Sequence, residues 1–219
     1  MRLQLLVTLA AVVAAAGIFI AKGPPPEETF MKAVADGDIV QATRGLQWYY
    51  HLGFRITSGR LALSMAIGHD RGAMVTWLIG QGADPQSLGQ EGLMALSEAA
   101  YYDRPTAAAA LVEAGADLHE RSRAGLTPLH QCAKSEWRRR GGAVMLLDAG
   151  ADIDGRCSLG STPLHWAAAY GNRDVAELLI ARGADVNARN KSGTRPLTVA
   201  RMRGEPDMID LLCKHGATE

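Results

Sequence analysis

The chain has 219 residues, with 23 basic and 23 acidic side chains for a formal net charge of zero, and 47% hydrophobic content. That is enough apolar material for a substantial continuous core, and the balanced charge carries no electrostatic footprint of a nucleic-acid protein. Three cysteines, Cys132, Cys157 and Cys213, form an odd set without C-x-x-C spacing, which excludes a disulfide scaffold and gives no zinc-ligand pattern.

In chain order, the first feature is a nearly unbroken apolar run from Leu3 to Ala21, interrupted only by Gln4 and Thr8 and flanked by Arg2 and Lys22. As a helix it would reach about 28 Å, close to the hydrocarbon thickness of a bilayer. Residues 1–22 are therefore expected to be a separate N-terminal hydrophobic helix, a signal anchor or signal sequence. Cleavage after Ala16 would leave Gly-Ile-Phe-Ile at the new terminus, and cleavage after Ala21 needs Phe19 where a small residue is preferred. An uncleaved single-pass anchor is thus the expected form. Arg2 and the amino terminus outweigh Lys22, which places the N-terminus in the cytoplasm and the rest of the chain outside it. The alternative is a periplasmic or secreted protein after signal cleavage. Residues 23–28, with GPPPEE, read as a stiff Pro-rich linker.

Beyond residue 27 the chain repeats itself. GSTPLHWAAAYG from Gly160 has an upstream partner, GLTPLHQCAKS from Gly125, and a downstream one, GTRPLTVARMRG from Gly193. Weaker copies stand in phase at GRLALSMA from Gly59 and GLMALSEA from Gly92. Aligned on one position, the copies give Ser64, Ser97, His130, His165 and Thr198, in steps of 33, 33, 35 and 33 residues. A further step back lands on Met31 in FMKAVADGD, so six units centred near 31, 64, 97, 130, 165 and 198 fill residues 27–219.

One unit explains itself physically. Thr162 at the N-cap and Pro163 at the first helical position start a helix well, because proline gives up only an orphan N–H. His165 at the third position can reach back to the cap residue, as in a capping box. Gly171 suits the left-handed position that ends the helix. A second helix follows over DVAELLIAR, with Val175, Leu178 and Leu179 on one face. Gly183-Ala184 closes it, and the polar stretch to Gly193 makes an exposed turn. Neither helix can bury its face alone, so neighbouring units must stack.

The His165 unit resembles the ankyrin repeat in GxTPLHxAA, in the glycine six residues after the histidine, and in LLxxGADVNA. The resemblance implies an all-α solenoid of helix-turn-helix units, in which His130 and His165 are structural hydrogen-bonders. It also implies a protein–protein interaction scaffold, with contacts from exposed inner-helix positions and turn tips. By register those positions include His69, Tyr101, Tyr102 and Tyr170, and the tips include Arg121, Arg156 and Arg189. Tyrosine and arginine are residue types favoured in binding hot spots.

Departures from the pattern carry expectations of their own. The units around Ser64 and Ser97 lose the cap threonine, the proline and the histidine together, and are expected to be the softer half of the stack. The first unit runs through LQWYYHLGFRITS instead of a Gly-Ala closure. The His130 unit holds two extra residues around EWRRRGG. Its Trp137–Arg140 segment reads either as a solvated loop whose tryptophan packs back onto the helices, or as a contact for an acidic partner or anionic headgroups. There is no G-x-x-x-x-G-K-[ST], no H-E-x-x-H, and no serine–histidine–acid order outside repeat positions. The chain is therefore expected to be a scaffold and not an enzyme. No cofactor or metal is expected, nor a nucleic-acid partner; the partners are another protein and, through Leu3–Ala21, a membrane. Three classes compete: a membrane-tethered binding module, a freely exported module assisting another exported protein, and a thiol- or metal-dependent activity of the cysteines.

Overall fold

A computed structural model of the protein describes residues 27–51, 59–88 and 93–218. They form twelve helices, and among the described residues the β pairing is limited to an isolated bridge between Leu88 and Met94. The chain divides into two compact bodies, up to Ser58 and from Gly59 onward.

The first body holds α1 (Glu27–Asp36) and α2 (Ile39–His51). Gly37, in the left-handed region at φ 77, turns the chain between them, and Asp38 accepts the Gln41 N–H through Oδ1 at 3.0 Å. Phe30, Val34 and Ala42 are buried.

The second body is a run of helix pairs. The inner helices are α3 (Gly59–Gly68), α5 (Ala95–Tyr101), α7 (Pro128–Lys134), α9 (Pro163–Tyr170) and α11 (Pro196–Arg203). The outer helices are α4 (Gly72–Gly80), α6 (Pro105–Glu113), α8 (Gly141–Asp148), α10 (Arg173–Ala181) and α12 (Pro206–Lys214). Each inner helix packs on the next, α3 to α5 and so on to α11, and α4, α6 and α8 pack likewise. The core is one-dimensional and periodic. Leu63, Leu96, Leu129, Leu164 and Leu197 repeat one fully buried inner position, while Leu111, Leu146, Leu179 and Leu212 repeat an outer one. Each such leucine contributes about 2 kcal/mol of burial, and every copy needs a neighbour to achieve it. This is the stacked solenoid that the repeat period predicts.

The expected membrane placement is corrected. Among the described residues no helix is long and apolar enough to cross a membrane; their longest, Ile39–His51, has 13 residues, about 20 Å. The Leu3–Ala21 run on which the expectation rested lies outside the described residues, and nothing within them supports the secreted alternative. Glu27 and Glu28, assigned to the linker, already belong to α1.

Candidate functional site

The two histidines sit in capping boxes, with Thr127 and Thr162 at the N-caps and proline next. The Thr127 N–H donates to His130 Nδ1 at 3.1 Å, and the Thr162 N–H to His165 Nδ1 at 3.2 Å. An acceptor at Nδ1 leaves the proton on Nε2. There His130 donates to the Ser161 carbonyl at 3.0 Å, and His165 to the Thr194 carbonyl at 3.0 Å. Both carbonyls belong to the turn that opens the next repeat. Each imidazole thus caps its own helix and ties it to its successor. Burial lowers the pKa of both rings, in keeping with the neutral form that this bonding requires. No ring nitrogen is left for chemistry.

The turn-tip arginines form a chain of their own. Arg121 Nη1 donates to the Arg156 carbonyl at 2.6 Å, and Arg156 Nη1 to the Arg189 carbonyl at 2.6 Å. The same nitrogens reach back to the Gly125 and Gly160 carbonyls at 3.5 and 3.1 Å, and Arg189 Nη1 to Gly193 at 3.3 Å. The three residues remain exposed, but one nitrogen of each is engaged by the backbone. Adjacent tips also touch closely: a Cβ at Gly125 would lie 2.6 Å from Ser158 Oγ. Cys157, next to Ser158 in this close approach, is buried.

Sequence reasoning missed the carboxylates that serve the units around Ser64 and Ser97. Ser64 Oγ donates to Glu98 Oε1 at 2.6 Å, across to the next inner helix. The Ser97 N–H, at the third position of α5, donates to Glu120 Oε1 at 3.1 Å. Glu120 is buried, which raises its carboxyl above the usual range against the hydrogen bonding from Ser97. Asp70 and Asp103 occupy the left-handed position at φ 54 that Gly171 and Gly204 take elsewhere. Asp70 Oδ1 accepts from the Thr106 and Ala107 N–H groups at 3.0 and 2.9 Å, and Asp103 Oδ1 from Gly142 at 2.6 Å. Each caps the outer helix of the following repeat. Asn172 plays a related part in the C-terminal half: its Nδ2 donates to the Cys132 and Ser135 carbonyls at 3.1 and 3.2 Å.

Between α3, α5 and the loop after α7 lies a cleft of about 310 Å³. Met65 and Gly68 line it from α3 and His69 from the turn after it, Glu98 and Tyr102 from α5 and the residue following it, and Arg104 and Trp137 from the connecting segments. Ser135 positions the tryptophan, since its Oγ donates to the Tyr101 carbonyl at 2.6 Å and accepts the Trp137 N–H at 3.3 Å. Trp137 is 55% exposed. It packs against the cleft and not into the core.

The structure brings His69 and Tyr102 together in this cleft. Tyr101 stands edge-on to Tyr102, with ring centroids 5.1 Å apart. Tyr170 lies two repeats further on, stacked on Trp166 at 5.9 Å and 38% exposed. Cys132 is buried, which pushes its thiol up and away from reactivity. Among the described residues no group of three or more histidine, cysteine, aspartate or glutamate side chains could hold a metal ion.

The period, the paired helices and the histidine stitching define a helical-repeat solenoid. The family model described as ankyrin repeats (3 copies) matches residues 61–157 and 139–219, together well over half of the chain. The protein belongs to the ankyrin repeat family. Ankyrin repeats build protein–protein interaction modules, generally without catalysis. No curated protein matches the chain.

Proposed function

We propose that the protein is a non-catalytic scaffold that binds another protein through its inner-helix surface, at His69, Tyr101, Tyr102 and Tyr170, and through the tips bearing Arg121, Arg156 and Arg189. The observation that carries this is the cleft in which His69, Tyr102 and an exposed Trp137 converge. Aromatic side chains gathered around a concavity supply large contact area at low entropic cost. The buried histidines, by contrast, are fully used in holding the repeats together.

Site-specific photocross-linking tests it. A photoreactive phenylalanine placed at Tyr102 or Tyr170 should capture a discrete protein in cells, whereas the same group at Thr76, exposed on the outer helix α4, should not. Equal capture from Thr76, or none from either tyrosine, would count against this surface.

A further inference from the structure

We infer that the cleft beside Arg104 receives an acidic side chain from an extended peptide segment of the partner protein; the inference rests on the protein-binding function proposed above. Its first support is Arg104 itself. The residue lines the cleft, and its Nε is buried with no hydrogen-bond partner among the described residues. A buried N–H left unpaired is costly, and a guanidinium edge presents two parallel donors in the geometry of a carboxylate. An arriving carboxylate supplies the missing acceptor.

The surroundings favour the same occupant. Tyr102, Trp137, Met65 and Gly68 line the same cleft, so an aliphatic stem would meet apolar surface while its charged tip meets Arg104. Arg138, Arg139 and Arg140 follow Trp137 directly and are all exposed. With Arg104 they make four guanidinium groups, against the three carboxylates of Glu98, Glu136 and Asp103, the last engaged by the Gly142 N–H. The chain as a whole carries no net charge, so this excess is local, and it suits a segment with further acidic residues. The opposing charge is Glu98, 4% exposed, with Oε1 held by the Ser64 hydroxyl. It repels an incoming carboxylate and would attract a lysine. It therefore separates the two occupants experimentally.

The test selects short random peptides from a displayed library on the immobilised full chain, then measures the selected peptides by fluorescence anisotropy. Enrichment of aspartate or glutamate beside an apolar residue is expected. Affinity should fall roughly tenfold or more in Arg104→Gln and in Trp137→Ala. The second variant truncates an exposed side chain, so loss there is not loss of the fold, and matching circular dichroism verifies both. Glu98→Gln should tighten binding of the acidic peptides. Selection of basic or uncharged peptides would overturn the inference. So would acidic peptides indifferent to Arg104→Gln, or no selected peptide at all with binding instead to phosphatidylserine vesicles. Basic peptides blocked by Tyr102 cross-linking would leave the scaffold function standing and remove only the acidic partner.

Discussion

The repeats around Ser64 and Ser97 and those around His130 and His165 are tied to their surroundings by different chemistry. Every inner helix begins with N–H groups that have no intrahelical acceptor. In the C-terminal pair a neutral imidazole accepts one of them and donates to the next repeat. In the N-terminal pair the Ser97 N–H of α5 finds a carboxylate, Glu120, in that role, whereas Ser64, midway along α3, donates through its hydroxyl to Glu98 in the next repeat. Asp70 and Asp103 extend this by capping outer helices in the following repeat. Losing the family's threonine, proline and histidine has not left those units without ties. The ties have become acidic, and Glu120 should answer pH with the opposite sign to the two histidines.

Acidification acts on both histidines at once and is the largest lever. Burial holds their folded-state pKa below the ordinary 6.5. Their contribution is therefore present above that value and is lost as pH falls through the folded-state pKa. A protonated Nδ1 can no longer accept the threonine N–H. Glu120 behaves inversely. Its folded-state pKa is raised above 4.5, so its contribution is greatest below the unfolded value and is lost as pH rises through the folded one. Moving from about pH 7 to about pH 5 should speed hydrogen exchange in α7 and α9 relative to α5. Faster loss of protection in α5 on acidification would break the comparison.

Single substitutions sharpen it. His165→Ala removes a cap worth about 1 kcal/mol and leaves the buried Thr162 N–H and the Thr194 carbonyl without this partner, for a total of roughly 2–3 kcal/mol. Ser97→Ala keeps the backbone bond to Glu120 and loses only the hydroxyl, so it should cost under about 1 kcal/mol. Denaturant unfolding of the two variants measures the difference; equal losses would mean that imidazole and serine carry the same load.

Much of this architecture was legible in the sequence, because its signals are local. Thr-Pro-Leu-His, the closing Gly-Ala and the leucine period each lie within one unit, and each predicted the correct helix or turn. The carboxylate ties were not legible, because their partners lie 23 to 39 residues apart and the repeat pattern has no place for them. A signal existed all the same. Glu120 occupies a slot that Gly155 and Ala188 fill as small buried residues, and Asp70 and Asp103 stand where Gly171 and Gly204 adopt the left-handed conformation. Aspartate is among the few residues that tolerate it. For Trp137 the sequence offered a loop whose tryptophan packs back onto the helices, but the two extra residues take that loop out of register, so no repeat position predicted that it would line the cleft. The arginine ladder was found by register, but its backbone bonds depend on how closely neighbouring tips approach.

Asp103 separates backbone strain from capping. Asp103→Ala removes the acceptor for the Gly142 N–H, about 1 kcal/mol, and puts alanine at a positive φ, about 1 kcal/mol more. Asp103→Gly relieves the backbone and loses only the cap, while Asp103→Asn keeps both features. Thermal unfolding should therefore rank asparagine above glycine and glycine above alanine. An alanine variant as stable as the asparagine one would show that the trans-repeat cap is idle.

The smallest effect belongs to the ladder, and it bears on whether the C-terminal half depends on its turn tips at all. Arg156 donates through one nitrogen to both the Gly160 and Arg189 carbonyls, yet the residue is exposed and water can replace it. Hydrogen bonds at such a position contribute little net free energy, so Arg156→Gln should lower stability by no more than about 0.5–1 kcal/mol. Arg156→Lys should not fully rescue it, because a strongly hydrated ammonium on a flexible stem is held less well against the two carbonyls. The neighbouring His165 tie to Thr194 is part-buried, with the imidazole itself buried. Combining Arg156→Gln with His165→Ala should give more than the sum of the two losses, since each then removes the remaining support of one inter-repeat joint. Strict additivity would mean that tip and histidine act independently at this joint.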